Sequence, residues 1–293
     1  MQKPFFSIIV VSLNPKEELK NTVESILSQT CEDYEIIIKD GGSTDGSLDF
    51  LLKEKKFQYL RKNEGIGSLL QKKEDGEVRD NKIKLIIKKD QGIYEGMNQA
   101  LEEAKGEYFL FLNCGDYFYD SRVLEKTKKV IEEKKGEKEK VGIFYGNLFN
   151  RKQNSLITSS PKITDFTLYR NVPCHQVCFY HYSLFSQRGY KLYYRVRADY
   201  EHFLYCVKKK GAIGYAMDHV VASYEGGGFS ETKENRKYSD KEHKEITKMY
   251  LKKSSCIKYR LILWLTLAPL RSKIAESPRL SAGYNKIKSL LYR

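Results

Sequence analysis

Apolar residues fall in short unbroken blocks over the first 120 positions, separated by stretches with helical spacing. Ser7-Ile-Ile-Val-Val-Ser-Leu13 is a nearly continuous β-branched run, as expected of a strand covered on both faces in a parallel sheet. Asn14-Pro15 puts proline at an expected first helical position, and Leu19, Val23, Ile26 and Leu27 recur at helical spacing across 16–29. Tyr34 to Asp40 predicts a second strand, Gly41 to Gly46 a loop, and Leu48, Leu51 and Leu52 the start of a second helix. Strand, helix, strand, helix is a βαβ unit of Rossmann type. The charged, glycine-containing stretch 61–81 predicts a surface loop, and 82–89 a third strand. Ile93, Met97, Ala100, Leu101 and Ala104 stripe a helix closed by Gly106, and 108–113 predicts a fourth buried strand. Beyond residue 120 the alternation loosens. A helix is expected over 123–135, strands over 141–149 and near 175–180 and 212–217, a helix over 199–209, and a flexible loop over 224–230.

The 293 residues suffice for one large domain, and 41% hydrophobic residues with 22 Tyr and 14 Phe exclude a disordered chain. The expected division is a catalytic domain over 1–232, with a nucleotide-binding half (1–120) and an acceptor half (121–232), followed by a basic helical region, 233–293. Net charge is +14, which would suggest a nucleic-acid partner if it were spread evenly. It is not. Residues 233–293 carry 16 Lys and Arg against 5 Asp and Glu, whereas 1–232 carry 36 against 33. The first residues lack the pattern of a signal peptide, and no apolar run approaches a membrane span. Six scattered cysteines without zinc spacing suggest reduced thiols.

In an open α/β sheet, ligands bind beyond the carboxyl ends of the strands. The polar residues there are Ser12 and Asn14, Asp40, Asp90, and Asn113 to Asp116. Several carboxylates at one edge repel unless a cation or a hydrogen-bonding ligand lies among them. No Gly-x-Gly-x-x-Gly follows the first strand and no Walker lysine loop exists, which disfavours dehydrogenases and P-loop enzymes. A single nucleotide with a metal-neutralised diphosphate fits better, Asp116 being suited to a hard Mn²⁺ or Mg²⁺ ion.

Ser7-Ile-Ile-Val-Val-Ser-Leu-Asn, Glu24-Ser-Ile-Leu-Ser-Gln-Thr, Glu35-Ile-Ile-Ile-Lys-Asp-Gly-Gly-Ser-Thr-Asp-Gly-Ser47, Asp90-Gln-Gly-Ile-Tyr-Glu-Gly-Met-Asn98 and Gly106 to Asp116 together resemble family 2 glycosyltransferases of the GT-A fold. The likeness is dense over 5–120 and thinner to about 230. It implies a metal-dependent, inverting transfer of a hexose or N-acetylhexosamine from a UDP-sugar in bacterial polysaccharide or glycolipid synthesis. By the same resemblance Ser12, Asn14 and Asp40 lie at the base and ribose, and Asp90 and Asn98 at the ribose and sugar. Asn113-Cys-Gly-Asp116 occupies the place of the Asp-x-Asp metal motif, with Asn113 or Gly115 where a carboxylate is usual, so Asp116 is the expected metal ligand. Ala198-Asp-Tyr-Glu201 resembles the segment providing the base that deprotonates the acceptor hydroxyl. Asp199 is the expected base, Glu201 the alternative, and His175-Gln176 resembles a pair lining the acceptor pocket.

Each assignment has a plainer counterpart. Asp199 could cap a helix, Asp116 could end a strand beside a glycine turn, His175 could be a core histidine, and 226–228 an inert linker. A non-catalytic nucleotide-sugar-binding protein of the same fold is the alternative function. Leu261 to Leu270 is apolar, ten residues long and flanked by Lys258, Arg260, Arg271 and Lys273, with Tyr259 and Trp264 suited to headgroup depth. This segment, with Ile287, Leu290 and Leu291 beyond it, predicts peripheral contact with an anionic membrane surface at the cytoplasmic face. A lipid-linked or oligosaccharide acceptor would suit that location, and no nucleic-acid partner is expected.

Overall fold

The computed structural model describes residues 3–53, 57–63, 65–72, 78–135, 141–226 and 232–266. Strand β1 (Phe6–Ser12) is buried at six of its seven positions, as its apolar run requires. Helix α1 (Glu18–Leu27) buries Leu19, Thr22, Val23 and Ile26. Next come β2 (Tyr34–Asp40), the single turn α2 (Asp49–Leu52), and three strands, β3 (Phe57–Asn63), β4 (Ile66–Lys72) and β5 (Val78–Ile87). Helix α3 (Ile93–Leu101), β6 (Tyr108–Phe111), β7 (Tyr117–Phe118) and α4 (Val123–Lys135) complete the first half. The second half holds β8 (Gly142–Asn150), β9 (Ser155–Ile157), α5 (Asp165–Arg170), β10 (Cys178–His181), α6 (Ala198–Lys208) and β11 (Ile213–Tyr224). Two basic helices follow, α7 (Lys233–Tyr250) and α8 (Lys253–Leu265).

One mixed sheet joins both halves in the order β3-β4-β5-β2-β1-β6-β10-β8-β11-β7, with β9 paired to β8. Strands β5, β2, β1 and β6 run parallel. Strand β10 is antiparallel to both β6 and β8, and β8 is parallel to β11. Hence β8 and β11 point the same way as β1, and their carboxyl ends share its edge. The amino end of β10 lies there too. All strand-end candidates from both halves therefore face one rim.

Two expectations are corrected. The described residues within 61–81 are not loop but mostly strand; β3, β4 and β5 pair antiparallel as a meander at the sheet edge. Outer antiparallel strands need only one apolar face, so interleaved charges do not prevent pairing. Residues 175–177 are not strand but a single 3₁₀ turn, and pairing begins at Cys178. The first helix also starts later than the proline suggests, because Asn14 and Lys16 adopt left-handed φ values of 48° and 52°.

Candidate active site

The rim divides into a loop-built shelf at β1, β2 and β5 and a polar cluster between β6, β10 and α6. On the shelf, Ser12 and Asp40 are register partners, and Ser12 Oγ donates to Asp40 Oδ2 at 3.0 Å. Asp40 is fully buried and also accepts the Gly42 and Ser43 amides and the Ser43 hydroxyl. It therefore shapes the 41–46 loop from beneath. Asn14 Oδ1 accepts the Thr44 amide, the Asn14 amide donates to Ser43 Oγ, and Asp45 takes the Lys16 amide, lacing the two rim loops together.

The cation needed among these acids is Lys39, which the sequence reading missed. Its buried ammonium donates to the Asp40 and Lys88 carbonyls and to Asp90 Oδ2 at 2.6 Å. Asn98, expected at the ribose and sugar, uses both ends of its amide on the Tyr190 backbone, at 2.9 and 2.7 Å. It fastens α3 to the loop preceding α6.

Parallel pairing of β6 with β1 brings Asn113 to Asp116 two strands from Asp40, about 10 Å across the sheet. Gly115, at φ 91°, makes the turn that a side chain would strain. Its amide donates to Thr22 Oγ1 and its carbonyl accepts Arg151 at 2.7 Å. Arg151 directly follows β8, so the carboxyl-end rule would have found it had the strand directions been known. It also lies 4.3 Å from the Tyr117 ring, and Tyr117 donates to Glu18, another rim acid not picked from sequence.

Asp116 Oδ2 accepts Gln176 Nε2 at 3.0 Å. Burial pushes the Asp116 carboxyl up to about 6, although the Gln176 hydrogen bond and the His175 and Arg151 charges pull the other way. Next to Gln176, His175 is 13% exposed and reaches Asp199 Oδ2 with Nδ1 at 3.1 Å and Asn113 Nδ2 with Nε2 at 2.9 Å. The 3₁₀ turn that interrupts the expected strand positions this pair of side chains.

Asp199 is the second residue of α6 and a quarter exposed. The cap position belongs to Arg197, which makes no side-chain cap hydrogen bond. Asp199 Oδ1 accepts the Tyr94 hydroxyl at 2.9 Å and the Tyr200 amide at 2.8 Å. Burial would raise its pKa, but His175, Tyr94 and the Tyr200 amide together hold it below the usual carboxylate range. Glu201 is not brought to this cluster. Two residues on in a helix is a turn of about 200°, and Glu201 points inward, fully buried, onto Arg188, Lys191 and Tyr250. Residues 227–230 of the expected glycine loop and 267–293 of the tail lie outside the described residues.

A parallel sheet with an acid-lined rim, joined through an antiparallel strand to a second half carrying a helix-borne carboxylate, defines a glycosyltransferase of the GT-A fold. The chain belongs to glycosyl transferase family 2, whose pattern matches residues 7–191. A PGL/p-HBAD biosynthesis glycosyltransferase of Mycobacterium bovis is 34% identical over 236 residues, covering 79% of this chain and 81% of that protein. An Escherichia coli relative, UDP-Glc:alpha-D-GlcNAc-diphosphoundecaprenol beta-1,3-glucosyltransferase WfaP, is 30% identical over 58% of this chain and 59% of its own length. The structure of S. aureus TarS 1-349 in complex with UDP superimposes with a TM-score of 0.59 at 16% identity, covering 87% of this chain and 69% of that one. Mannosyltransferase PcManGT from Pyrobaculum calidifontis, in complex with GDP-Man and Mn²⁺, does so with a TM-score of 0.59 at 13% identity, over 100% and 81% of the two chains. The chain is thus a glycosyltransferase of glycolipid or polysaccharide synthesis.

Proposed function

We propose that this enzyme transfers a hexose or N-acetylhexosamine, with inversion, from a UDP-sugar to a lipid-linked or oligosaccharide acceptor at an anionic membrane surface. One observation carries the reading: Asp116 and Asp199 arrive from opposite halves of the fold and meet across His175-Gln176. This supports a diphosphate site beside Asp116 and a base at Asp199, linked through the His175-Gln176 pair. The UDP-Glc donor and diphosphoundecaprenol-linked acceptor of the relative WfaP support the donor and acceptor classes.

In this reading the Asp199 carboxylate accepts the acceptor hydroxyl proton as that oxygen attacks the anomeric carbon from the face opposite the diphosphate. Tyr94, the Tyr200 amide and His175 hold the carboxylate still, which preserves the attack geometry. Ser12, Asn14, Asp40 and the 41–46 loop form the nucleotide shelf, while Lys39 and Asp90 support it from below. Asn98 acts through the Tyr190 loop, and Gly115 through its turn.

The donor set fits Mn²⁺ or Mg²⁺ at Asp116. Burial disfavours its charged form, which a cation would restore, and Asn113 Oδ1 is a buried acceptor without a hydrogen-bond partner. Among the described residues no cluster of three or more His, Cys, Asp or Glu could hold an ion. Diphosphate oxygens would complete the shell. A bound ion would offset the charge developing on the leaving diphosphate.

The test is transfer from a panel of UDP- and GDP-sugars to a lipid-diphosphate-linked sugar with and without Mn²⁺, with the product's anomeric configuration read by NMR. Transfer from a UDP-sugar with inverted configuration and Mn²⁺ dependence is expected. Retained configuration, or transfer from GDP-sugars alone, overturns the reading. Binding of UDP-sugar without transfer would favour the non-catalytic alternative.

A further inference from the structure

We propose that Asn113 sets the tautomer of His175, and through it the hydrogen bond that orients the Asp199 carboxylate. This rests on the reading of Asp199 as the base. It gives Asn113 a role of its own at one of the two positions, with Gly115, where the resembled motif has a carboxylate.

The assignment follows from donor and acceptor bookkeeping. An ionised carboxylate has no proton to give, so the His175 nitrogen 3.1 Å from Asp199 Oδ2 must be Nδ1–H. In the neutral ring Nε2 is then a bare acceptor. Asn113 meets it with its amide nitrogen at 2.9 Å, which supplies the proton that this tautomer lacks there. The other end of the amide, Oδ1, is buried and has no hydrogen-bond partner. One side chain thus donates toward the base and keeps an acceptor spare for the diphosphate side. An aspartate offers acceptors only. Placed at 113, it would require the proton on Nε2, and a neutral imidazole would then present a lone pair to Asp199.

The bond being protected lies on the oxygen best placed to react. Asp199 Oδ1 already receives two donors, Tyr94 and the Tyr200 amide, whereas His175 donates to Oδ2. A carboxylate oxygen accepts two hydrogen bonds comfortably. Oδ2 therefore retains capacity for an acceptor hydroxyl while His175 fixes its direction. Asn113 and His175 are positioning residues; the proton passes to Asp199.

Three measurements test this. Nitrogen-15 NMR of the imidazole in the full-length enzyme, at a pH high enough to keep the ring neutral, should show His175 protonated on Nδ1 and bare on Nε2, with the pattern reversed in Asn113→Asp. Asn113→Asp should lower kcat about tenfold or more, read at saturating UDP-sugar and Mn²⁺ so that any change in donor or metal affinity is separated from turnover. Of two replacements at 175, His175→Asn carries an N–H where Nδ1 stood and His175→Gln where Nε2 stood. The Asn variant should keep roughly tenfold more turnover than the Gln variant, although Gln is closer to histidine in size. Protonation on Nε2 in the unmodified enzyme overturns the proposal, as does undiminished turnover in Asn113→Asp or Gln outperforming Asn at 175. Undiminished turnover in Asp199→Asn would instead refute the base, and would leave the NMR pattern unchanged. If Asn113→Asp does not fold, the wild-type spectrum and the His175 pair still decide.

Discussion

Lys39 Nζ lies 2.6 Å from Asp90 Oδ2, with the lysine fully shielded from solvent and the aspartate side chain 8% exposed. Adjacent strands β2 and β5 bring the two together just below the rim, and the remaining ammonium protons go to the Asp40 and Lys88 carbonyls. A buried pair of this kind is costly to break from one side, because the abandoned charge stays desolvated. Lys39→Met should therefore lose about 3–5 kcal/mol in a urea melt, and adding Asp90→Asn should restore part of it. Simple addition of two destabilising effects would show that the pair is not coupled.

This pair also shows what the sequence could and could not reveal. The blocks Ser7 to Leu13 and Tyr34 to Asp40 announce buried parallel strands, because nothing else hides so many β-branched residues. Their ends announce the rim. Lys39 gives no such sign, since it reads as an ordinary polar strand residue until its neighbour β5 is known. The same holds for Tyr94, which looks like part of the α3 stripe yet donates to Asp199 105 positions away. Asp199 itself was legible only through family resemblance, as Asp near a helix start is usually a cap. Glu201 could not be separated from Asp199 by sequence, because proximity along the chain does not mean a shared helix face.

Asp116 couples stability to pH in a direction opposite to a salt-bridged carboxylate. Burial raises its folded pKa to about 6, above the ordinary aspartate value of 3.8, so ionisation opposes folding. The cost is fully present above pH 6 to 7, reaches about 3 kcal/mol at most, and fades as pH falls toward 4. Asp116→Asn should therefore raise the Tm of the ligand-free protein at pH 7.5, with the gain vanishing by pH 4. Transfer should nonetheless be lost. A variant that is less stable at pH 7.5 would mean that Arg151 and His175 already compensate the charge.

The two acids of α6 should separate cleanly. Asp199→Asn should lower Tm modestly, because its partners stabilise the ionised form, while leaving UDP affinity near wild type and cutting kcat by about 10²–10⁴, the usual worth of a general base. Glu201→Gln should do the reverse, costing about 2 kcal/mol or more by loosening the Arg188, Lys191 and Tyr250 contacts while transfer persists in the folded fraction. Should Glu201→Gln stay fully stable and lose turnover, the base must be reassigned.

The last prediction concerns the C-terminal helices. On α8, Ile257, Leu261 and Trp264 recur at helical spacing on the solvent side, with Trp264 69% exposed. Lys253, Lys258 and Arg260 flank them, and residues 252–266 include no Asp or Glu. Among the described residues no helix is long and apolar enough to cross a membrane. An apolar ridge edged by cations suits the boundary between headgroups and acyl chains. On α7, Lys237, Lys241, Lys244 and Lys248 form an exposed stripe opposite buried Ile246, adding charge that anionic headgroups would neutralise. Leu261→Ser with Trp264→Ser should weaken binding to vesicles of anionic phospholipid about tenfold or more at unchanged charge. Reversing the α7 lysines to glutamate should weaken it further and remove most of its salt dependence. Unaltered vesicle binding in both variants would show that α7 and α8 do not make the membrane contact, and absence of vesicle binding by the unmodified protein would remove the membrane surface as a partner.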